Sequence, residues 1–176
     1  YGPDGSTPED DVTAPRYPRR FTYKYPMAGE ANSAVSLHVY DLASGRTTHV
    51  DVGPERDQYL PFFGWTPAGA LCFYRINRLQ NHLEVFVDDL KGTRKMIYEE
   101  RSDKYIDNIG MGTVTFLSDG DRFIVKNETR TGFSHLYMYS MERGFLYPLT
   151  EGEWEVRSLV CATDERVWFL SNETSP

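Results

Sequence analysis

The sequence predicts an all-β chain folded as part of a β-propeller, with roughly four blades of four short antiparallel strands. Three observations carry this. Apolar residues recur in short runs with a period of two, and no long run carries helical periodicity. Turn residues punctuate the chain at short intervals. One unit also returns along the chain: a tight turn at Asp119-Gly120, an apolar strand Arg122 to Lys126, a polar loop from Asn127, and a second strand from His135. Ala68 to Tyr74 leading to His82 to Val87 is an earlier copy, Asp164 to Thr174 begins a later one, and Leu37 to Leu42 is a partial fourth. The copies are roughly 45 to 53 residues apart, in the range of propeller blades.

Taken in order, residues 1–16 are polar, with Gly2-Pro3-Asp4-Gly5 and the acidic run Glu9-Asp10-Asp11, and read as a loop or lead-in. Residues 17–176 form the propeller portion. Tyr25 to Asn32 reads as a structured corner, because Pro26 fixes one backbone dihedral. The strand Val35 to Leu42 alternates, with Val35, Leu37 and Val39 on one face and Ser36, His38 and Tyr40 on the other, the pattern of a strand buried on one side. Ala43-Ser44-Gly45-Arg46 turns it into Thr47 to Val52. Tyr59 to Trp65, Ala70 to Ile76, His82 to Asp88 and Lys95 to Tyr98 make one four-strand set. Val114 to Ser118, Arg122 to Lys126, His135 to Ser140 and Phe145 to Leu149 make the next, and Trp154 to Cys161 with Arg166 to Leu170 opens another. Blades bury their faces only against neighbouring blades. A chain that starts on Tyr1 and stops just after a unit begins is therefore expected to be a segment of a longer protein, and its isolated form is expected to self-associate.

Composition narrows the function. Forty per cent apolar residues, with 12 Tyr, 10 Phe and 3 Trp, suffice for a core. The net charge of −7 points away from nucleic acid and anionic membranes. The cluster Arg16, Arg19, Arg20 and Lys24 reads as a solvated strand edge. No apolar run approaches the roughly 20 residues of a helical membrane span, so no membrane contact is expected from this segment. Cys72 and Cys161 each sit in an apolar strand and read as two buried free thiols rather than a disulfide or a zinc site.

Catalytic patterns are missing. Gly132-Phe133-Ser134-His135-Leu136 lacks the final glycine of a nucleophile elbow, and Ser134 and His135, adjacent on a strand, point to opposite faces. Three of the four histidines, His38, His49, His82 and His135, fall at matching blade positions, where a repeated hydrogen-bonding role accounts for them without metal or cofactor. Asn127-Glu128-Thr129 and Asn172-Glu173-Thr174 fit the glycosylation acceptor pattern, but as copies of one blade motif they read as turn chemistry. Glu99-Glu100 carries the charge to clamp an amino group, yet reads as an exposed loop between blades.

One further feature is the signature Tyr25-Pro26-x-Ala28-Gly29-x-x-Asn32 followed by Val35. With it come Phe116-Leu117-Ser118-Asp119-Gly120, the two Asn-Glu-Thr repeats leading to His135-Leu136-Tyr137, and Leu149-Thr150-x-Gly152-x-Trp154-Glu155-Val156. In these, residues 17–176 resemble the N-terminal propeller domain of the dipeptidyl peptidase IV family, within the prolyl oligopeptidase group of serine peptidases. The resemblance implies an eight-bladed ring over an α/β-hydrolase domain of the same chain, whose Ser-Asp-His triad lies downstream of this segment. It implies release of dipeptides from peptide amino ends, commonly after proline or alanine, with no cofactor. It also implies a homodimer and a periplasmic, secreted or cell-surface parent. The glutamate pair that holds the substrate's amino group in the family precedes the signature, so Glu99-Glu100 does not inherit that role. One substrate-pocket loop of the family aligns with Asn108, Ile109 and Gly110, with Ile109 and Gly110 replacing the aromatic and arginine of some members. Two other readings stand beside this one: a non-catalytic propeller that binds a protein partner, and the propeller of another prolyl oligopeptidase-type peptidase with its own cleavage rule.

Overall fold

A computed structural model of the chain describes residues 22, 23, 27–107 and 109–174. The chain divides into two units, Tyr1–Ala31 and Asn32–Pro176. In the first, the described part includes a turn in which the Glu30 amide donates to the Met27 carbonyl at 3.0 Å and the Met27 amide to the Glu30 carboxylate at 2.7 Å. The lead-in 1–16, the basic cluster Arg16, Arg19, Arg20 and Lys24, and Tyr25 and Pro26 of the signature lie outside the described residues.

The second unit is built of strands alone among the described residues. In chain order they are β1 (Leu37–Tyr40), β2 (Thr47–Val50), β3 (Gln58–Tyr59), β4 (Phe63–Trp65), β5 (Leu71–Asn77), β6 (His82–Asp88) and β7 (Arg94–Arg101). They continue as β8 (Val114–Phe116), β9 (Arg122–Asn127), β10 (His135–Ser140), β11 (Gly144–Pro148), β12 (Val156–Ala162) and β13 (Val167–Ser171). Four antiparallel sheets result: β1-β2, then β3 and β4 on β5-β6-β7, then β8-β9-β10-β11, then β12-β13. This is the meander of successive propeller blades, complete in the two middle sheets and two-stranded in the outer pair.

Each middle sheet is buried on both faces, and that explains the continuous apolar runs within it. One core fills the gap between them, where Cys72, Tyr74, Leu83, Val85 and Tyr98 meet Val114, Phe123, Val125, Tyr137 and Tyr139. The alternate residues Leu71, Phe73 and Phe86 turn the other way, against Leu37, Val50 and Val52 of the first hairpin. Likewise Ile124, Leu136 and Met138 pack against Val156, Leu159 and Phe169 of the last. Fully burying a side chain of this size stabilises by about 1.5–3 kcal/mol, so the blade contacts dominate the energetics.

The structure departs from the expected strands in places, each with a local cause. The expected strand Tyr59 to Trp65 is two strands, β3 and β4, with one more residue on this side than on β5: Tyr59 faces Ile76 while Phe63 faces Phe73. Pro61, which lacks an amide hydrogen, lies in that bulge, and the ladder resumes where the Tyr74 amide donates to the Phe62 carbonyl at 2.9 Å. β7 runs to Arg101, so Glu99 and Glu100 lie in a strand and not in a loop between blades. Cys72 is buried, as expected, but Cys161 is exposed. A bulge at Val160 pairs Leu159 with Phe169 and Cys161 with Trp168, which places the thiol on the outer side of the hairpin.

Candidate functional site

Three connections enclose one cavity of about 680 Å³. They are the segment leaving β7, the loop Asn127 to Ser134 between β9 and β10, and Glu155 to Arg157 at the start of β12. A second, smaller cavity of about 490 Å³ lies behind the first segment, against Tyr59, Leu60, Pro61 and Ile76. Tyr105, Ile106, Asp107 and Ile109 line both, so this loop is the partition between them. Backbone hydrogen bonds hold it in place: the Ser102 amide donates to the Asn81 carbonyl at 3.0 Å and the Ile106 amide to the Gln80 carbonyl at 2.7 Å, with the Ile106 side chain buried.

Of the three loop residues singled out from the sequence, Ile109 stands in this partition and Gly110 follows in a turn closed by Thr113. The Gly110 amide donates to the Thr113 hydroxyl oxygen at 3.0 Å and the Thr113 amide to the Gly110 carbonyl at 3.1 Å. Asn108 lies outside the described residues.

Beside the β9–β10 loop the site is polar and buried. Tyr98 and Glu100 project from the same face of β7, two residues apart. The Tyr98 hydroxyl donates to Glu100 Oε2 at 2.8 Å and accepts from Asn127 Nδ2 at 2.9 Å. Burial, and then the neighbouring Glu100 charge, push the Tyr98 phenol well above its ordinary range, so it remains a donor. Asn127 Oδ1 caps the turn that follows it, accepting from the Arg130 amide at 3.0 Å. Asn127 is therefore buried inside a blade, and the expected turn chemistry is what its side chain performs. Asn172 does a related task, its Oδ1 accepting from the Glu155 amide at 2.7 Å. Asn77 is a third copy that the sequence reading missed: its Oδ1 accepts from the amides of Asn81 and His82. The signal was there, since Asn77, Asn127 and Asn172 each stand at the end of the first apolar strand of the recurring unit or directly after it.

Glu99, on the opposite face of β7, is a surface group. His82 Nε2 lies 2.8 Å from its Oε1 and Arg101 forks onto the same oxygen; these two, His82 first, hold its carboxyl below the usual range. Ser134 lines the cavity whereas His135 turns into the core, so the pair does not act together. His135 Nε2 donates to the Gly152 carbonyl at 2.9 Å, which in the neutral ring leaves Nδ1 to accept from the Thr150 hydroxyl at 3.0 Å. The Trp154 indole meets the imidazole edge to face at 5.0 Å. Gly152, with φ +138°, has no side chain because a Cβ there would collide with that indole. The Leu149 to Val156 motif is thus a clasp between one blade and the next. Each of the other three histidines also finds a neighbour: His82 meets Glu99, His38 lies 3.1 Å from the Ser36 hydroxyl, and His49 packs edge-on against His38 at 4.9 Å. Among the described residues no group of three or more His, Cys, Asp or Glu side chains is gathered closely enough to hold a metal ion.

Comparison with known proteins bears on what such an arrangement belongs to. Residues 4–176 match the family model described as the dipeptidyl peptidase IV (DPP IV) N-terminal region. Dipeptidyl peptidase 4 of Arthroderma otae is 29% identical over 168 residues, covering 91% of this chain and 22% of that protein. Dipeptidyl peptidase 4 of Trichophyton rubrum is 28% identical over the same length and coverage. The crystal structure of Porphyromonas gingivalis dipeptidyl peptidase 4 superposes with a TM-score of 0.80 at 32% identity, over 93% of this chain and 23% of that one. The chain thus spans less than a quarter of the length of these relatives. With the family model matched almost end to end and the blade geometry reproduced, the chain belongs to the dipeptidyl peptidase IV N-terminal region family.

Proposed function

We propose that this chain is the propeller portion of a serine exopeptidase that releases dipeptides from peptide amino ends, and that it gates and shapes the approach to the active site. The observation that supports the gating role is the loop Tyr105 to Ile109, which separates two cavities at one end of the blades. A loop anchored through its backbone and the buried Ile106, with Tyr105 and Asp107 exposed, is suited to line a passage, since binding loops work from a rigid scaffold. The catalytic triad and the amino-end clamp belong, in this reading, to other parts of the parent protein, which also supplies the hydrolase domain. With Ile109 in the lining and Gly110 beside it, where some family members carry an aromatic and an arginine, the passage has a smaller side chain and no charge at that point, so the residue preference differs from those members.

The test is release of a chromophore from a Gly-Pro-arylamide by the intact parent. Turnover that is abolished by acylating the substrate's amino group is expected. Turnover that survives acylation would replace the reading with an endopeptidase or acyl-peptide hydrolase. A folded parent inert to both substrates would favour a propeller that binds a protein partner. The loop's share is read from Ile109→Ala, expected to change KM for peptides several-fold while leaving the fold intact.

A further inference from the structure

The large cavity is lined by a buried carboxylate that has no ionic partner among the described residues. Glu100 is only 8% exposed, accepts a hydrogen bond from the neutral Tyr98 hydroxyl, and makes no ion pair among the described residues. A carboxylate taken out of water with one neutral donor keeps much of its charge uncompensated. That charge acts on the cavity Glu100 lines, where low-dielectric walls strengthen it. Glu128 and Glu155, on two other sides, also stand outside any ion pair of the described residues. Arg101, Lys104, Lys126 and Arg157 also line the cavity, and none of them pairs with Glu100. Arg101 is held by Glu99, the Lys126 ammonium donates to the Arg157 carbonyl at 3.3 Å, and Lys104 and Arg157 are exposed.

The position of Glu100 is fixed as well as its charge. Asn127 holds the Tyr98 hydroxyl, Tyr98 holds Glu100, and Asn127 is itself tied to the turn at Arg130. A counter-charge held in this way loses little freedom when a ligand arrives. Ile106, Ile109 and Val156 add apolar wall beside it, the surface a methylene stem covers while its charged head seeks an acid.

We propose that this cavity recognises a cationic side chain of a peptide, the ammonium of lysine or the guanidinium of arginine, with Glu100 as the buried counter-charge. The proposal rests on the peptide-handling function above and adds a specificity determinant to it, separate from recognition of the substrate's amino end.

The test uses the intact parent protein and two blocked peptides, acetyl-Ala-Ala-Lys-Ala-Ala-amide and its norleucine counterpart. Acetylation removes the free amino end, so calorimetric affinity reports a side-chain site. The lysine peptide is expected to bind roughly tenfold more tightly than the norleucine peptide, with the advantage shrinking as salt is raised. Glu100→Gln keeps the shape and an acceptor for Tyr98, and is expected to abolish the advantage. Lys126→Gln, which removes a neighbouring cation, is expected to enlarge it and serves if the first variant fails to fold. Equal affinity of the two peptides for the wild type, or a lysine preference that survives Glu100→Gln, overturns the proposal. The arylamide assay keeps the two ideas apart. Turnover without a lysine preference sinks this inference and spares the exopeptidase, whereas a lysine preference without turnover does the reverse.

Discussion

At the scale of single residues, the polar groups divide between those that close turns and those that face the cavity. Asp119 belongs to the first kind. It accepts from the amides of Asp121 and Arg122 and pairs with the Arg122 guanidinium, and these bonds, the guanidinium first, bring its carboxyl down to about 2. A carboxyl whose pKa is depressed on folding adds stability above its unfolded value and loses it as the pH falls through the folded one. Acid titration of the folded protein is therefore expected to show a stability loss as pH drops from about 4 towards 2, and Asp119→Asn should flatten that limb while leaving neutral-pH activity unchanged. An identical acid limb in the variant would remove Asp119 from the account. Glu100 belongs to the second kind. Its neighbour Glu99 has the same side chain and a wholly different role, because alternation along β7 sends one outward to His82 and Arg101 and the other inward to Tyr98.

At the scale of elements, the turns fix the register of the blades. Between β8 and β9 the chain reverses at Asp119-Gly120, where the Leu117 amide donates to the Arg122 carbonyl at 2.9 Å and Gly120 adopts φ +80°. Nothing lies within 4 Å of where a Cβ would stand, so a substitution there meets no clash and is opposed only by the left-handed backbone. Gly120→Ala is accordingly expected to destabilise by about 1–2 kcal/mol, read as a lowered unfolding midpoint in urea with an unchanged slope. A change in slope instead would mean that the turn governs more than its own hairpin. The bulges at Pro61 and Val160 act in the opposite sense, breaking a regular ladder to redirect one strand; neither is visible as a break in the apolar pattern of the sequence.

At the scale of the molecule, stability comes from one blade lying on another. Phe123 is fully buried where the two middle sheets meet, stacked with Tyr139 at 5.4 Å and packed against Phe116 at 5.9 Å. Phe123→Ala should cost about 3–5 kcal/mol. Because the core it belongs to is shared, amide exchange should quicken in β5–β7 as well as in β8–β11. Loss of protection confined to β8–β11 would show that the blades unfold independently. The cavity has the same origin. Its walls come from two complete blades and the start of a third, so it exists only when they are stacked.

The sequence by itself determined the class of fold, the order of the strands to within a few residues, the turn at Asp119-Gly120 and the family, since all of these rest on local alternation, turn chemistry and ordered motifs that need no partner. It also held the asparagines that close the first apolar strand of the unit, although Asn77 is legible only once the others are aligned with it. Tertiary structure alone decided that Glu100 is buried while Glu99 is not, that Cys161 is exposed, and that the 105–109 loop stands between two cavities. The physical reason is that a strand's period says which residues share a face, but not whether that face meets solvent, a cavity or another blade; the register bulges and the packing of neighbouring sheets settle that.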